Sequence, residues 1–191
     1  MQQAHGDVRR RIEEAVADAA GPAVLNLHGP LGVGKSRLAR MVAERVGERL
    51  VVCDGVDGAE SAAALAGLEG PAEPRRPGTK VLIVGRKPLR SRPGWRDVPL
   101  RSFRLGLWPS ADIRRLARSS GIADPARLDI VVDLAGGLPL AADVLCRAFA
   151  GDTPPSDRGA LADMVSQVVL ARLRTEVAGS MANIGEATDQ A

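Results

Sequence analysis

The octapeptide Gly29-Pro30-Leu31-Gly32-Val33-Gly34-Lys35-Ser36 combines residue types and a spacing suited to one task, the holding of phosphate oxygens. It satisfies G-x-x-x-x-G-K-[ST], the pattern of a phosphate-binding loop. Its glycines let the backbone turn so that N–H groups converge on an anion, where side chains would obstruct the approach. Lys35 brings a positive charge to the β- and γ-phosphates, the Ser36 hydroxyl is a ligand for Mg²⁺, and a helix beginning here adds the positive end of its dipole. The expected nucleotide contacts are Gly29, Pro30, Leu31, Gly32, Val33, Gly34, Lys35, Ser36 and the next helical residue, Arg37.

A loop of this kind works with an acid on a neighbouring strand, and Asp54 is the candidate, at the end of the hydrophobic run "RLVVCD". Mg²⁺ takes six oxygens, commonly from the loop hydroxyl, phosphates and waters, one of which a strand acid orients. Ser36 and Asp54 are therefore the expected metal-site residues. Hydrolysis also needs a group that positions the attacking water. The residue after Asp54 is Gly55, and Asp57 in "GVDG" reads as a turn residue. Binding with weak or absent turnover follows as the expectation, with Lys35 and Asp54 in the catalytic set.

The elements that must place these residues alternate along the chain. Val8, Ile12, Ala15, Val16 and Ala19 recur at helical spacing, and Gly21-Pro22 ends that helix. "AVLNLH" (Ala23–His28) reads as a strand, Leu38, Met41, Val42 and Val46 as the stripe of a helix, and "RLVVCD" as a short strand. A weaker helix over Ala59–Leu68 leads into the loop "GPAEPRRPG", after which "KVLIVG" and "VPLRSFRL" are strands. The rest is helical: Ser110 can cap one helix, Asp124-Pro125 opens a second that Gly136 closes, Pro139 opens a third, and Ser156 or Asp157 a fourth. Strands alternating with crossover helices predict an α/β fold, a parallel sheet of about four strands flanked by helices, followed by a small helical subdomain. The expected divisions are a core over 1–108, the helical part over 109–178 and a flexible tail over 179–191. Ligands of such sheets bind at the carboxyl ends of the strands, where Gly29 and Asp54 fall.

Composition bounds the class. The 191 residues are 45% hydrophobic and 26% charged, which excludes a disordered chain. Only three lysines occur, Lys35, Lys80 and Lys87, among abundant Arg, Ala and Gly, a skew that fits a GC-rich genome. No apolar run has membrane-spanning length and the N-terminus lacks a signal-peptide core, so a cytoplasmic protein is expected. Cys53 and Cys146 lack metal-ligand spacing and read as buried free thiols, His28 as a packing histidine, and Trp95 as a loop residue covering a hydrophobic edge. The net charge of +3 conceals an asymmetry: the segment from Arg75 to Arg104 alone carries ten basic residues against one acid, Asp97.

"GPLGVGKSRLA" together with "GGLPLA" (Gly136–Ala141) resembles the signal-transduction ATPases with numerous domains, the group that includes NB-ARC proteins and many actinobacterial regulators. The resemblance runs from about Pro22 to Leu173. It implies ATP or ADP as the nucleotide, a switch between two states, and a G-L-P-L motif packed near the adenine, with Gly137, Leu138, Pro139 and Leu140 matching it and Pro139 in contact with the base. "KVLIVGRKP" resembles the family's sensor strand, which gives Arg86 the role of reading the terminal phosphate and adds it to the catalytic set. Departures accompany the match. The family usually has five core strands where this chain has four, so "RLVVCD" is either the acidic strand or an ordinary second strand. In either case an open sheet cannot keep an empty slot, and the strand should pair beside the sensor strand. The Gly-Arg motif that lines the adenine pocket in relatives is absent from Met1–Ala20, as are winged-helix and repeat domains. A separate protein partner supplying effector or sensor parts, or a shortened form of a larger regulator, is then expected.

Two other readings use the basic segment. A small-molecule phosphotransferase could employ it as an arginine lid, but no acidic acceptor-binding motif follows Asp54. A nucleic-acid-associated module could use it for phosphate contacts, and the scarcity of aromatics for base stacking weighs against that.

Overall fold

A computed structural model describes residues 3–55, 78–89, 99–151, 157–171 and 174. The expected helix over Ala59–Leu68, Asp57, most of the loop that follows, residues 90–98 with Trp95, Ser156, Leu173 and the tail lie outside the described residues. No helix among the described residues is long and apolar enough to cross a membrane.

Four strands form one parallel sheet: β1 (Val24–His28), β2 (Leu50–Cys53), β3 (Lys80–Gly85) and β4 (Leu100–Arg104), in the order β2-β3-β1-β4. The two inner strands are covered on both faces, so "VLNLH" and "KVLIVG" are almost continuously apolar rather than alternating. The outer strands are shorter or more polar, and β4 turns Arg101, Ser102 and Arg104 to solvent, charges that discourage a second chain from pairing with the edge. As the closure argument expects, β2 lies beside β3, with Leu50 in step with Lys80 and Cys53 with Ile83.

Helix α1 (Gln3–Ala17) packs on helix α2 (Lys35–Val46) and on β4, and α2 packs on β1, β2 and β3. Along β1, Leu25 and Leu27 point to one face and Val24, Asn26 and His28 to the other. Val24, Val81 and Ile83 form the buried cluster of that second face, with Leu89, Leu100 and Cys53 against it. Cys53 is half-buried rather than buried, because its strand is an edge; Cys146 is buried as expected.

The second group of elements is helical: α3 (Ser110–Ser119), α4 (Pro125–Ala135), α5 (Pro139–Ala150) and helical residues 158–171. Their core joins Ile113, Leu128, Val131, Leu145, Phe149 and Leu161. Asp124 caps α4 by accepting the Ala126 N–H at 3.0 Å, Pro125 takes the first helical position, and Gly136 ends the helix at φ +53°. Asp157 caps the last helix by accepting from the N–H groups of Gly159 and Ala160. Ser110 does not cap α3. It is the first helical residue, Pro109 precedes it in an extended conformation, and the Pro109 carbonyl takes the N–H groups of Asp112 and Ile113 without side-chain help.

By contacts the chain divides into two compact units. One holds the sheet with α1 and α2, up to Gly29 and from Lys35 to Leu105; the other holds the helices from Gly106 onward together with Pro30–Gly34.

Candidate functional site

The phosphate-binding motif leaves the sheet at the carboxyl end of an inner strand. His28 is in step with Gly85 on β3 and with Arg104 on β4, so Gly29 emerges between the exits of both neighbours. The next residue of β4's exit, Leu105, donates its N–H to the His28 carbonyl at 2.7 Å and brings its own carbonyl against Gly29. A Cβ on Gly29 would lie 2.1 Å from the Leu105 oxygen, and its φ is +154°; only glycine fits. Gly32 and Gly34 also have positive φ, +75° and +102°. These turns lie between the end of β1 and the start of α2.

α2 starts at Lys35, whose Nζ donates to the Gly29 carbonyl at 3.0 Å, while Ser36 and Arg37 are exposed on the first turn. The residues between, 30–34, are tied into the helical unit by two hydrogen bonds. The Trp108 indole N–H reaches the Val33 carbonyl at 3.2 Å, and the Leu140 N–H reaches the Gly32 carbonyl at 3.3 Å. Leu140 is available because Pro139 occupies the first position of α5 and has no N–H, which leaves Leu140 as that helix's first backbone donor. Pro139 itself is half-buried. Gly137 completes the arrangement at φ +79°: a Cβ there would sit 2.9 Å from the Trp108 carbonyl oxygen, and the Trp108 N–H bonds to the Gly137 carbonyl at 2.8 Å. The second glycine of "GGLPLA" is thus required by close backbone approach.

Arg86 directly follows β3 and is half-buried; since Gly85 is in step with His28, Arg86 leaves the sheet level with Gly29. Asp54 follows β2 two strands from β1, roughly 10 Å in strand spacings. Cys53 is level with Ile83 and so with Asn26, which ends β2 two residues short of the end of β1. The Asp54 carboxylate is exposed and accepts the Gly55 N–H at 2.9 Å. Among the described residues no three His, Cys, Asp or Glu side chains lie together as a metal site would need.

Asn26 escaped the sequence reading, although it is the one amide in an otherwise aliphatic run. It is buried, its Nδ2 donates to the Ile83 carbonyl at 3.2 Å, and its Oδ1 accepts the Leu89 N–H at 3.0 Å and the Ser102 hydroxyl at 3.5 Å. The amide therefore links β1 to both neighbours and holds the segment that returns after Arg86. Trp108 and Leu140 were missed as loop contacts too; a tryptophan one residue ahead of a proline that opens a helix was the available signal.

His28 is half-buried. Burial pushes its imidazole below the usual 6.5, and the positive charges of Arg104 and then Lys35 push in the same direction. The unfolded chain accordingly takes up its proton at higher pH than the folded one. Stability attributable to this ring is fully present above 6.5, falls as pH drops through the interval below it, and levels off beneath the folded value. NMR titration should place the His28 midpoint below 6.5 in the wild type and nearer to 6.5 in Lys35→Ala; a wild-type midpoint at or above 6.5 would contradict this electrostatic picture.

No protein-family model and no curated protein matches the chain. Solved structures do. PCH-2 of C. elegans aligns over 88% of this chain and 68% of its own, with a TM-score of 0.51 at 12% identity. A signal-transduction ATPase with numerous domains and a tetratricopeptide-repeat sensor, from Pyrococcus horikoshii, aligns over 83% of this chain with a TM-score of 0.51 at 16% identity, and this chain spans only 32% of it. The sheet order and these likenesses agree on the architecture: the chain has a parallel α/β fold shared with these two solved structures.

Proposed function

We propose that this protein binds ATP or ADP with Mg²⁺ on Gly29–Ser36 and works as a nucleotide-dependent switch in signalling or regulation, with weak or absent hydrolysis. The observation that carries the reading is the loop: Gly29, Gly32 and Gly34 at positive φ between a buried strand and the first turn of α2. In this reading the loop N–H groups and Lys35 hold the phosphates, Arg37 contributes from the first turn, Pro139 contacts the base, and Arg86 distinguishes a terminal phosphate from its absence. Mg²⁺ would be held by Ser36 and Asp54, where it would neutralise phosphate charge. A switch role is supported by the resemblance of "GPLGVGKSRLA" and "GGLPLA" to the signalling ATPases. A protein partner carrying sensor or effector parts would read the nucleotide state.

Low turnover is inferred from the residues around Asp54. Its carboxylate caps its own turn through the Gly55 N–H, and Gly55 has no side chain to position a water. Charge neutralisation without an oriented nucleophile holds a ligand and reacts slowly. Calorimetry and a phosphate-release assay on the wild type and Asp54→Ala test both halves. Expected are Mg²⁺-dependent binding of ATP and ADP, a several-fold weakening in Asp54→Ala, and turnover far below the roughly 1 s⁻¹ lower end typical of enzymes in both proteins. No binding heat for either nucleotide would remove the reading. Turnover near 1 s⁻¹ that Asp54→Ala abolishes would instead make the protein a working ATPase.

A further inference from the structure

We propose that Trp108 is a positioning residue for the phosphate-binding loop, acting through the hydrogen bond from its indole N–H to the Val33 carbonyl. The inference rests on the reading of Gly29–Ser36 as a phosphate site and goes beyond it by assigning what sets the loop's shape. Across a planar trans peptide the C=O and the following N–H point in opposite directions. The Gly32 carbonyl is held by the Leu140 N–H and the Val33 carbonyl by the Trp108 indole. Fixing two consecutive carbonyls toward the helical unit turns the N–H groups of Val33 and Gly34 the other way, which is the orientation an anion-binding concavity needs.

The supporting contacts are close. Val33 is fully buried, the Trp108 backbone N–H is bonded to Gly137, and Gly137 admits no side chain against the Trp108 carbonyl. At Gly32 a Cβ would come within 3.0 Å of the Leu140 Cβ, so the loop and the first turn of α5 meet with no slack. Donors that are already in place cost no reorganisation when a ligand arrives, and that is where the affinity comes from. The half-buried indole thus has a task that its shape alone would not perform.

The test replaces the donor and keeps the bulk. Trp108→Phe retains an aromatic ring without an N–H. Incorporation of β-(3-benzothienyl)alanine at position 108, in a Trp95→Phe background, retains the bicycle and puts sulfur in place of the N–H. Calorimetry is run on the full chain with Mg²⁺-ADP and with Mg²⁺-pyrophosphate, alongside thermal melting. Both variants are expected to fold, and to lose affinity for ADP and for pyrophosphate by the same factor, about tenfold, the equivalent of about 1.4 kcal/mol. Wild-type affinity in the benzothienyl protein would show that shape suffices and would overturn the proposal. A loss for ADP without a loss for pyrophosphate would place Trp108 at the base and overturn it equally. If Trp108→Phe fails to fold, the isosteric variant decides alone. A wild type that binds neither probe would remove the phosphate site itself, and the inference with it, whereas normal wild-type binding with unchanged variants removes only the inference.

Discussion

Among the glycines of the described residues, Gly29→Ala should be the most destabilising change to alanine. The new Cβ would lie 2.1 Å from the Leu105 carbonyl oxygen, at a φ of +154°. The obstructing group is the Leu105 backbone, and it cannot retreat without straining the 2.7 Å bond from the Leu105 N–H to the His28 carbonyl that closes β4 against β1. Overpacking in a well-filled interior costs about 1–3 kcal/mol even where side chains can shift. With a backbone obstacle and an unfavourable φ added, about 4 kcal/mol is expected, and at about 2–4 °C per kcal/mol for a chain of this size the melting temperature falls by roughly 8–16 °C. Gly47→Ala is the internal control: its φ is +64°, but nothing lies within 4 Å of its Cβ position, so it carries only the conformational cost, about 1–2 kcal/mol. Circular-dichroism melts of the two variants separate the terms. Equal melting temperatures would mean that Leu105 does not press on Gly29 as described.

Lys35→Ala is expected to abolish detectable nucleotide binding, at least a hundredfold loss, while leaving the fold intact. Its ammonium group sits at the head of α2 and is tethered to the Gly29 carbonyl at 3.0 Å, poised across the loop it belongs to. A phosphate seated in that loop would exchange the carbonyl for anionic oxygens, and charge-assisted contacts are about twice as strong as neutral ones. Removal takes away the loop's own lysine and leaves backbone dipoles to hold a polyanion. Calorimetry with Mg²⁺-ATP, read beside a thermal melt, checks both parts. Retention of wild-type affinity within threefold would show that the motif no longer functions as a phosphate site here.

Much of this was legible in the sequence because the signals were local. The four strands lie within one or two residues of their expected limits, since runs such as "KVLIVG" have few alternatives. Asp124, Pro125, Gly136, Pro139 and Asp157 punctuate the helices as their backbone chemistry dictates. Ser110 failed as a cap because a cap depends on where the chain bends, and Pro109 put the bend one residue early. Asn26 and Trp108 could not be read, for a different reason. Their partners are Ile83, Leu89, Ser102 and Val33, 57 to 76 residues away, and no local pattern announces a hydrogen bond across that distance. Arg86 shows the intermediate case: its position after β3 was legible, and its level with Gly29 emerged only from the strand register.

The amide of Asn26 has a consequence for how the sheet assembles. Aliphatic parallel strands are poor at choosing their alignment, because a slip of two residues keeps the same side chains on the same face and satisfies the hydrophobic pattern equally well. In β1 such a slip would carry Asn26 from Ile83 to a level with Val81 or Gly85 and away from the Leu89 N–H. Parting the Leu89 N–H from the Asn26 oxygen leaves a buried polar group short of its partner at about 1–3 kcal/mol, enough to reject the misaligned sheet by about one to two orders of magnitude. One side chain thereby acts as a ruler for the assembling strands, and because it lies three residues before Gly29, the same ruler fixes the point at which the glycine loop leaves the sheet.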